Sequence, residues 1–223
     1  QHQYQDAVFS TQAGVRLEDN RQFGSHTTGQ LAGRMQVLAG TSVYVNVGSA
    51  FHAPDANELY STYGGNPNLQ PEESVSYEIG VNQNLLQGLD GNLAVYRTDL
   101  KNMINSDSSY NLVNIDKARL TGAEAGLKWK LPSGWFTGMN YAYVQPIAEG
   151  LNGMKDSELL RRPRQSVTAS AGLQLPAYGF SAELTTKSKA KDYNSSYPVK
   201  GYAVGNLHGY WQALPNVRVV ANV

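Results

Sequence analysis

Apolar and polar residues alternate along many stretches of this chain, and this two-residue period restricts the possible folds more than any other feature. Val75, Tyr77, Ile79 and Val81 alternate with Ser74, Ser76, Glu78 and Asn82. The same alternation recurs over residues 7–18, 122–129, 166–175 and 180–185. Successive side chains of a β-strand point to opposite faces, so a period of two indicates strands with one apolar face. The sequence therefore predicts an all-β chain with an antiparallel sheet.

The alternating segments predict about eleven strands, many of them longer than the roughly five or six residues typical of soluble sheets. They lie near 6–18, 27–38, 41–51, 73–86, 91–104, 117–131, 135–146, 160–175, 178–188, 200–213 and 216–223. Short turns alternate with longer polar connections at 19–26, 52–71, 105–116, 147–158 and 189–199. Long strands joined alternately by short and long connections are typical of a transmembrane β-barrel. On this pattern alone, a soluble β-sandwich with one wet face is the alternative.

Lipid offers no hydrogen-bond partner to backbone groups, so a sheet that crosses a bilayer must close on itself. Its polar face then lines the lumen, and aromatic side chains form girdles at the membrane interfaces. We expect the charged residues at the polar positions of the alternation to face the lumen. They are Arg16, Arg34, Glu78, Glu124, Lys128 and Glu183. We expect an aromatic girdle from Trp129, Trp135, Tyr141 and Tyr143.

Composition excludes several other classes of protein. Lys and Arg number 18 against 18 Asp and Glu, so there is no basic surplus that would indicate nucleic-acid binding. Cys is absent, which excludes disulfides and thiolate sites within this chain. The first residues have neither the basic nor the apolar region of a signal peptide, and the last residues resemble a strand cut in its middle, so we expect this sequence to be an internal fragment of a longer protein.

The segment 48–80, which reads GSAFHAPDANELYSTYGGNPNLQPEESVSYEIG, resembles a signature of TonB-dependent outer-membrane transporters. The matching elements are Phe-x-Ala-Pro at 51–54, Leu-Tyr at 59–60, Gly-Asn-Pro-x-Leu-x-Pro-Glu at 65–72 and Tyr-Glu-x-Gly at 77–80. Two further matches follow in the family's order, at 114–126 (NIDKARLTGAEAG) and at 160–165 (LRRPRQ).

This resemblance implies a non-enzymatic transporter in the outer membrane of a Gram-negative bacterium. Its fold would be a plugged barrel of about 22 strands, of which residues 1–223 would form the C-terminal part. The plug domain, with its TonB-contacting segment, would lie outside this chain. The implied partners are the lipid bilayer, the TonB complex through the plug, and a large, scarce ligand.

Two runs indicate which ligand this is. Leu159-Leu160-Arg161-Arg162 and 191–198 (KDYNSSYP) resemble the corresponding stretches of cobalamin (vitamin B12) transporters. Since siderophore receptors share the Arg-Arg-Pro element, a ferric-siderophore or haem receptor remains an alternative, and a passive porin-like barrel is a second one.

By the same resemblance, Arg161 is the first expected ligand contact, because a guanidinium suits the amide and phosphate oxygens of a corrinoid. Arg162 competes for this role, and Arg161 could instead pair with Asp156 or Glu158. Amphipathic rings and an amide in the long loops complete the candidate ligand-binding set, which adds Asn57, Tyr60, Tyr63, Tyr193 and Tyr197. Loop packing is the alternative role for each tyrosine.

The sequence predicts no catalytic residues, no metal site and no cofactor. The four histidines lack metal-ligand spacing. His52 and Asp55 are the only neighbouring pair that an enzyme on the barrel rim could use. Calcium in extracellular loops is possible in a longer protein, but no Asp-rich ligand run supports it here.

Overall fold

The computed structural model describes residues 1–107, 109–149, 156–192 and 197–223, which form one antiparallel sheet of 13 strands. This confirms the all-β antiparallel prediction. In chain order the elements are β1 (His2–Gln5), β2 (Phe9–Asn20), β3 (Gly24–Leu38), β4 (Thr41–His52), α1 (Ala56–Tyr60), β5 (Glu72–Leu86), β6 (Leu89–Ser106), β7 (Leu112–Lys130), β8 (Trp135–Ala148), β9 (Ser157–Glu158), β10 (Gln165–Gln174), β11 (Tyr178–Lys187), β12 (Tyr202–Leu214) and β13 (Val217–Asn222).

Every strand from β1 to β8 pairs with the next in the chain, and the same holds from β10 to β13. The two-residue β9 pairs only with the end of β8, so β10 is the full-length neighbour of β8. This up-and-down order is the one expected for the wall of a barrel built from successive hairpins. Its short turns lie along one edge of the sheet, here called the short-turn edge, and its longer loops along the other, the long-loop edge.

Apart from the short β1 and β9, the strands match the predicted set, but two of the predicted long connections are wrong. The connection expected at 19–26 is only 21–23, and that expected at 105–116 is only 107–111. In both places the backbone ladder continues through polar sequence, with Asp19 opposite Ser25 and Asn105 opposite Val113. The other long connections remain, and the one after β4 contains α1.

The strand register places the polar positions of the alternation on one face of the sheet and the apolar positions on the other. Lys128 lies opposite Gly138, Gly138 opposite Ser170, and Ser170 opposite Glu183, so these residues share one face. The same reasoning places the remaining charged residues at the polar positions of the alternation on this polar face: Arg16, Arg34, Glu78 and Glu124.

The opposite, apolar face is exposed. Val45, Ile79 and Val95 are cross-strand neighbours there, and their exposed fractions are 51%, 54% and 50%. No second layer covers this face within the described residues, so the soluble sandwich does not describe the chain. A continuous apolar surface of this extent is normally covered by a partner or by lipid.

Aromatic side chains are concentrated at the short-turn edge of the apolar face. Trp129, Trp135, Tyr178 and Trp211 are 42–60% exposed, and Trp211 lies directly opposite Tyr178. Of the expected girdle residues, Trp129 and Trp135 flank the turn between β7 and β8, and Tyr141 and Tyr143 lie farther along β8. Rings that are apolar with one polar atom suit a membrane interface.

On the polar face, three tyrosine rings lie flat across glycines of the adjacent strand. A Cβ atom at Gly80, Gly122 or Gly179 would lie 2.4–2.5 Å from the ring of Tyr44, Tyr96 or Tyr210, respectively. Each tyrosine is the direct register partner of its glycine. The rings therefore cover the sheet instead of projecting from it, which keeps the space in front of this face open.

The buried core is small and lies near the long-loop edge. Met103, Ala118 and Leu159 form it, with Leu100, Ile115 and Ala148 packed around them. Leu159 comes from the segment after β8 and ties that segment to β6 and β7. Among the described residues, no helix is long and apolar enough to cross a membrane.

Candidate functional site

The candidate site lies on the long-loop edge, where two loop segments meet through a buried carboxylate. Glu158 accepts two hydrogen bonds from Arg164, at 2.7 Å from Nε and 2.8 Å from Nη2. Lys191 Nζ lies 3.1 Å from Glu158 Oε2, the oxygen that also accepts from Arg164 Nη2, and the Glu158 side chain is only 8% exposed. Glu158 therefore joins the β9–β10 segment to the segment that follows β11.

The pKa of Glu158 reflects this environment. Burial by itself raises the pKa of a carboxyl, but hydrogen bonds and positive charges from Arg164 and Lys191 outweigh it. The net result is a pKa below the usual value of 4.5. Glu158 is thus held as an anion between two cations.

Arg161 lies beside this cluster and is paired with the second segment. Its Nε donates to Asp192 Oδ1 at 2.8 Å, and its backbone N–H donates to the carbonyl of Lys191 at 2.7 Å. Its φ of +57° falls in the left-handed region, which non-glycine residues seldom adopt. The Arg161 side chain is 55% exposed. Arg161 thus pairs with Asp192, a partner that the sequence did not indicate, and Arg164 pairs with Glu158.

The β4–β5 loop forms a second part of this edge, and it begins with a capped helical turn. Asp55 accepts a hydrogen bond from Glu58 N–H at 2.8 Å, and Glu58 Oε2 accepts one from Asp55 N–H at 2.9 Å. This reciprocal capping box fixes α1. His52 Nε2 lies 3.5 Å from Glu58 Oε2. His52 therefore faces the capping glutamate, and Asp55 is used as a helix cap, which removes the pair that an enzyme could have used.

Two asparagines dock this loop on the tip of the β6–β7 hairpin. The Asn66 side chain donates to the carbonyl of Leu112 at 2.9 Å and accepts from Asn68 N–H at 3.0 Å. Asn114 exchanges two hydrogen bonds with the backbone of Gln70, at 2.8 and 2.9 Å. Asn66 thus uses its side-chain oxygen to shape the turn and its amide N–H to dock the loop.

The remaining predicted ligand contacts are distributed over both parts. Asn57, Tyr60 and Tyr63 lie in the β4–β5 loop, and the two tyrosines are 64% and 93% exposed. Tyr197 follows β11 and is 76% exposed. Tyr193 lies outside the described residues. The exposed rings are accessible to a large ligand, and their role in binding stays a prediction.

Sequence reasoning did not single out Glu158, Arg164, Lys191 and Asp192 as one cluster. Arg161 and Asp192 are 31 positions apart, and only the sheet order brings their loops together. The sequence did contain one signal: Arg161 and Asp192 each lie in one of the two runs, 159–162 and 191–198, that resemble cobalamin transporters. Within the described part of the chain, no group of three or more metal-ligating side chains converges.

Comparison with known proteins identifies the architecture. A family model described as TonB dependent receptor-like, beta-barrel, matches residues 2–223. The ferric enterobactin receptor of Pseudomonas aeruginosa superposes with a TM-score of 0.72 at 19% identity, over 97% of this chain and 37% of that one. The siderophore receptor PirA from Pseudomonas aeruginosa gives 0.71 at 20%, over 98% and 40%. The copper transporter OprC gives 0.72 at 18%, over 97% and 38%.

The chain therefore spans less than half the length of these solved structures. At identities this low the likeness establishes the fold. The matching proteins are receptors and transporters rather than enzymes.

Proposed function

This chain belongs to the TonB-dependent receptor-like β-barrel family of Gram-negative outer membranes, and from that premise we propose that it is part of the barrel of an active cobalamin transporter. In this proposal the long-loop edge faces the exterior and binds the ligand. A plug domain within the longer protein, remodelled by the TonB complex, passes the ligand to the periplasm. The chain supplies wall and binding loops, and the longer protein supplies the coupling.

The single observation that supports cobalamin most is the contact between the two cobalamin-type runs. Arg161, from the first run, is bonded to both the backbone carbonyl of Lys191 and the side chain of Asp192, from the second. The pairing presents an oriented, half-exposed guanidinium at the ligand side of the barrel. Amide and phosphate oxygens of a corrinoid are suitable acceptors for the N–H groups of a guanidinium.

A ferric siderophore is the second candidate, and the charge of the same loops favours it. In segments 156–164 and 187–201, Lys and Arg outnumber Asp and Glu. The cations are Arg161, Arg162, Arg164, Lys187, Lys189, Lys191 and Lys200, and the anions are Asp156, Glu158 and Asp192. A basic surface of this kind attracts anionic ligands, and a siderophore complex is often anionic. Two of the three structural relatives described above are named as a ferric enterobactin receptor and a siderophore receptor, which agrees with this alternative.

The test is uptake by cells that produce the full-length protein as their only receptor for the ligand. We expect accumulation of labelled cyanocobalamin that saturates with concentration and disappears when TonB is deleted. Uptake of ferric siderophores but not of cyanocobalamin would replace the first candidate by the second. Passive entry of both compounds without TonB would contradict active transport altogether.

A further inference from the structure

A charged patch borders the apolar face at the long-loop edge. We call it the rim patch and define it as Arg97, Asp99 and Lys101 of β6 with Lys117 and Arg119 of β7. Successive cross-strand pairs on this outward face are Val95 with Ala123, Arg97 with Thr121, Asp99 with Arg119, and Lys101 with Lys117. The charges thus begin one pair beyond the apolar residues.

Part of the rim patch is neutralised internally. Arg97 contacts both oxygens of Asp99 at 2.8–3.0 Å, and Arg119 Nε lies 3.2 Å from Asp99 Oδ1. Arg119 Nη2 also lies 2.5 Å from Glu149 Oε1. The two arginines and two carboxylates balance one another, and each guanidinium retains N–H groups for a further acceptor.

Lys101 and Lys117 are not neutralised in this way. They are direct cross-strand neighbours, and both are exposed. Like charges placed directly opposite each other destabilise a sheet. In the described part of the chain, neither ammonium forms an ion pair within 4.0 Å. Glu73 is the register partner of Lys101 on β5, yet its carboxylate lies 3.8 Å from His26 Nδ1 and forms no ion pair with Lys101 within 4.0 Å; Glu149 contacts Arg119.

An apolar groove lies below the rim patch on the same face. It has a volume of about 360 Å³ and is lined by Val81, Leu93, Ala125, Leu127, Met139 and Tyr141. Gly91 also lines it. Leu93 is four residues from Arg97 on β6, or about 13 Å along the strand. An acyl chain spans such a distance.

We propose that the rim patch binds the phosphate group of a lipid in the outer leaflet, with one acyl chain of that lipid in the groove. Headgroup phosphates lie just beyond the hydrocarbon layer, at the level where the charges follow the apolar residues. A phosphate between Lys101 and Lys117 removes their repulsion and takes further hydrogen bonds from Arg97 and Arg119. This inference depends on the membrane orientation of the barrel and is independent of the transported ligand.

The experiment is native mass spectrometry of the full-length protein in detergent, titrated with a phosphorylated outer-leaflet lipid such as lipid A. The comparison lipid is the same molecule with its phosphates removed. We expect the K101Q/K117Q variant to bind the phosphorylated lipid about 30-fold more weakly than wild type, since each lysine near a charged lipid surface contributes about fivefold. Binding of the dephosphorylated lipid should not change.

The matched control is K128Q/K130Q, which removes two positive charges from the polar positions of β7. It should bind the phosphorylated lipid as wild type does. Equal binding of that lipid by wild type and K101Q/K117Q overturns the proposal. If K101Q/K117Q does not fold, the wild-type comparison decides: equal affinity for the two lipids overturns the proposal, and salt-sensitive preference for the phosphorylated one supports it.

Discussion

At the scale of single residues, Arg161 combines a ligand-type side chain with an unfavourable backbone conformation. A φ of +57° costs a non-glycine residue about 1–2 kcal/mol. Two hydrogen bonds to Lys191 and Asp192 hold it in place. Backbone strain is found more often at functional positions than at structural ones, and here it lies next to an exposed guanidinium.

Two substitutions of Arg161 can therefore separate the role of its side chain from the effect of its backbone strain. We expect R161Q and R161G to weaken cyanocobalamin binding equally, by about tenfold or more, because a hydrogen bond to a charged group contributes about 1.5–3 kcal/mol. R161G should relieve the backbone strain and leave folding intact. R218Q is the matched control and should bind normally, because Arg218 lies on β13 next to the short-turn edge. Equilibrium titration of the purified full-length protein measures all three, and normal binding by R161G would exclude a ligand role for Arg161.

The glycines under the tyrosine rings give a second prediction at this scale. A Cβ at Gly122 would lie 2.4 Å from Tyr96 and 2.5 Å from the carbonyl of Tyr143, whereas a Cβ at Gly14 meets nothing within 4 Å. We expect G122V to destabilise the folded barrel by about 1–3 kcal/mol and G14V to have little effect. Heat-modified mobility in gel electrophoresis measures both, and equal midpoints would contradict the packing described.

At the scale of elements, the sequence predicted strands well wherever one face was apolar and one polar. It failed where both faces are polar, as in the outer ends of β6 and β7, because the alternation disappears there while the backbone ladder continues. A transmembrane strand needs about 9–11 residues, but β6 has 18 and β7 has 19. Their extensions support the docked β4–β5 loop. Helix α1 did have a readable signal, Asp55-x-x-Glu58, which is a capping-box pattern.

The loop elements of the candidate site were predictable in position but not in pairing. Loop residues follow no period, so nothing local relates Glu158 to Lys191 or Arg161 to Asp192. Only the resemblance pointed to these runs, and the sheet order then determined their contacts.

At the scale of elements, the prediction concerns Glu158 and the loop segments that it joins. Its folded-state pKa is lowered, so its contribution to stability is present above the unfolded value of about 4.5 and is lost as the pH falls through the folded-state pKa. We expect backbone amides of 156–164 to exchange about tenfold faster in E158Q than in wild type at neutral pH, because the neutral amide loses the charged hydrogen bonds to Arg164 and Lys191 that hold the two segments together. Hydrogen exchange with mass spectrometry measures this.

In wild type, the same protection should disappear only below about pH 4.5 after correction for intrinsic exchange. E183Q is the control, since Glu183 lies on the polar face, where it accepts a long hydrogen bond from Asn206 Nδ2, at 3.4 Å. Unchanged protection in E158Q would show that Glu158 does not anchor the loops.

At the scale of the whole molecule, the decisive property is which solvent each face of the sheet contacts. The charge is zero overall, but the β8–β10 and β11–β12 loops have a basic surplus, while 52–71 contains only Asp55 and Glu58 as charged residues at neutral pH. The exposed apolar face explains why a sheet with so small a core is a stable arrangement: lipid, rather than a second protein layer, covers it.

The most direct test uses single spin-labelled cysteines at Glu78, Ile79, Val81 and Asn82 of β5 in the full-length protein, reconstituted in lipid on a cysteine-free background. The native chain has no Cys, so each label is unique within it. We predict that labels at Ile79 and Val81 are accessible to oxygen dissolved in lipid and protected from a water-soluble nickel chelate, while Glu78 and Asn82 do not show this lipid signature. Loss of this two-residue alternation, or free access of the chelate to Ile79 and Val81, would contradict a lipid-facing barrel wall.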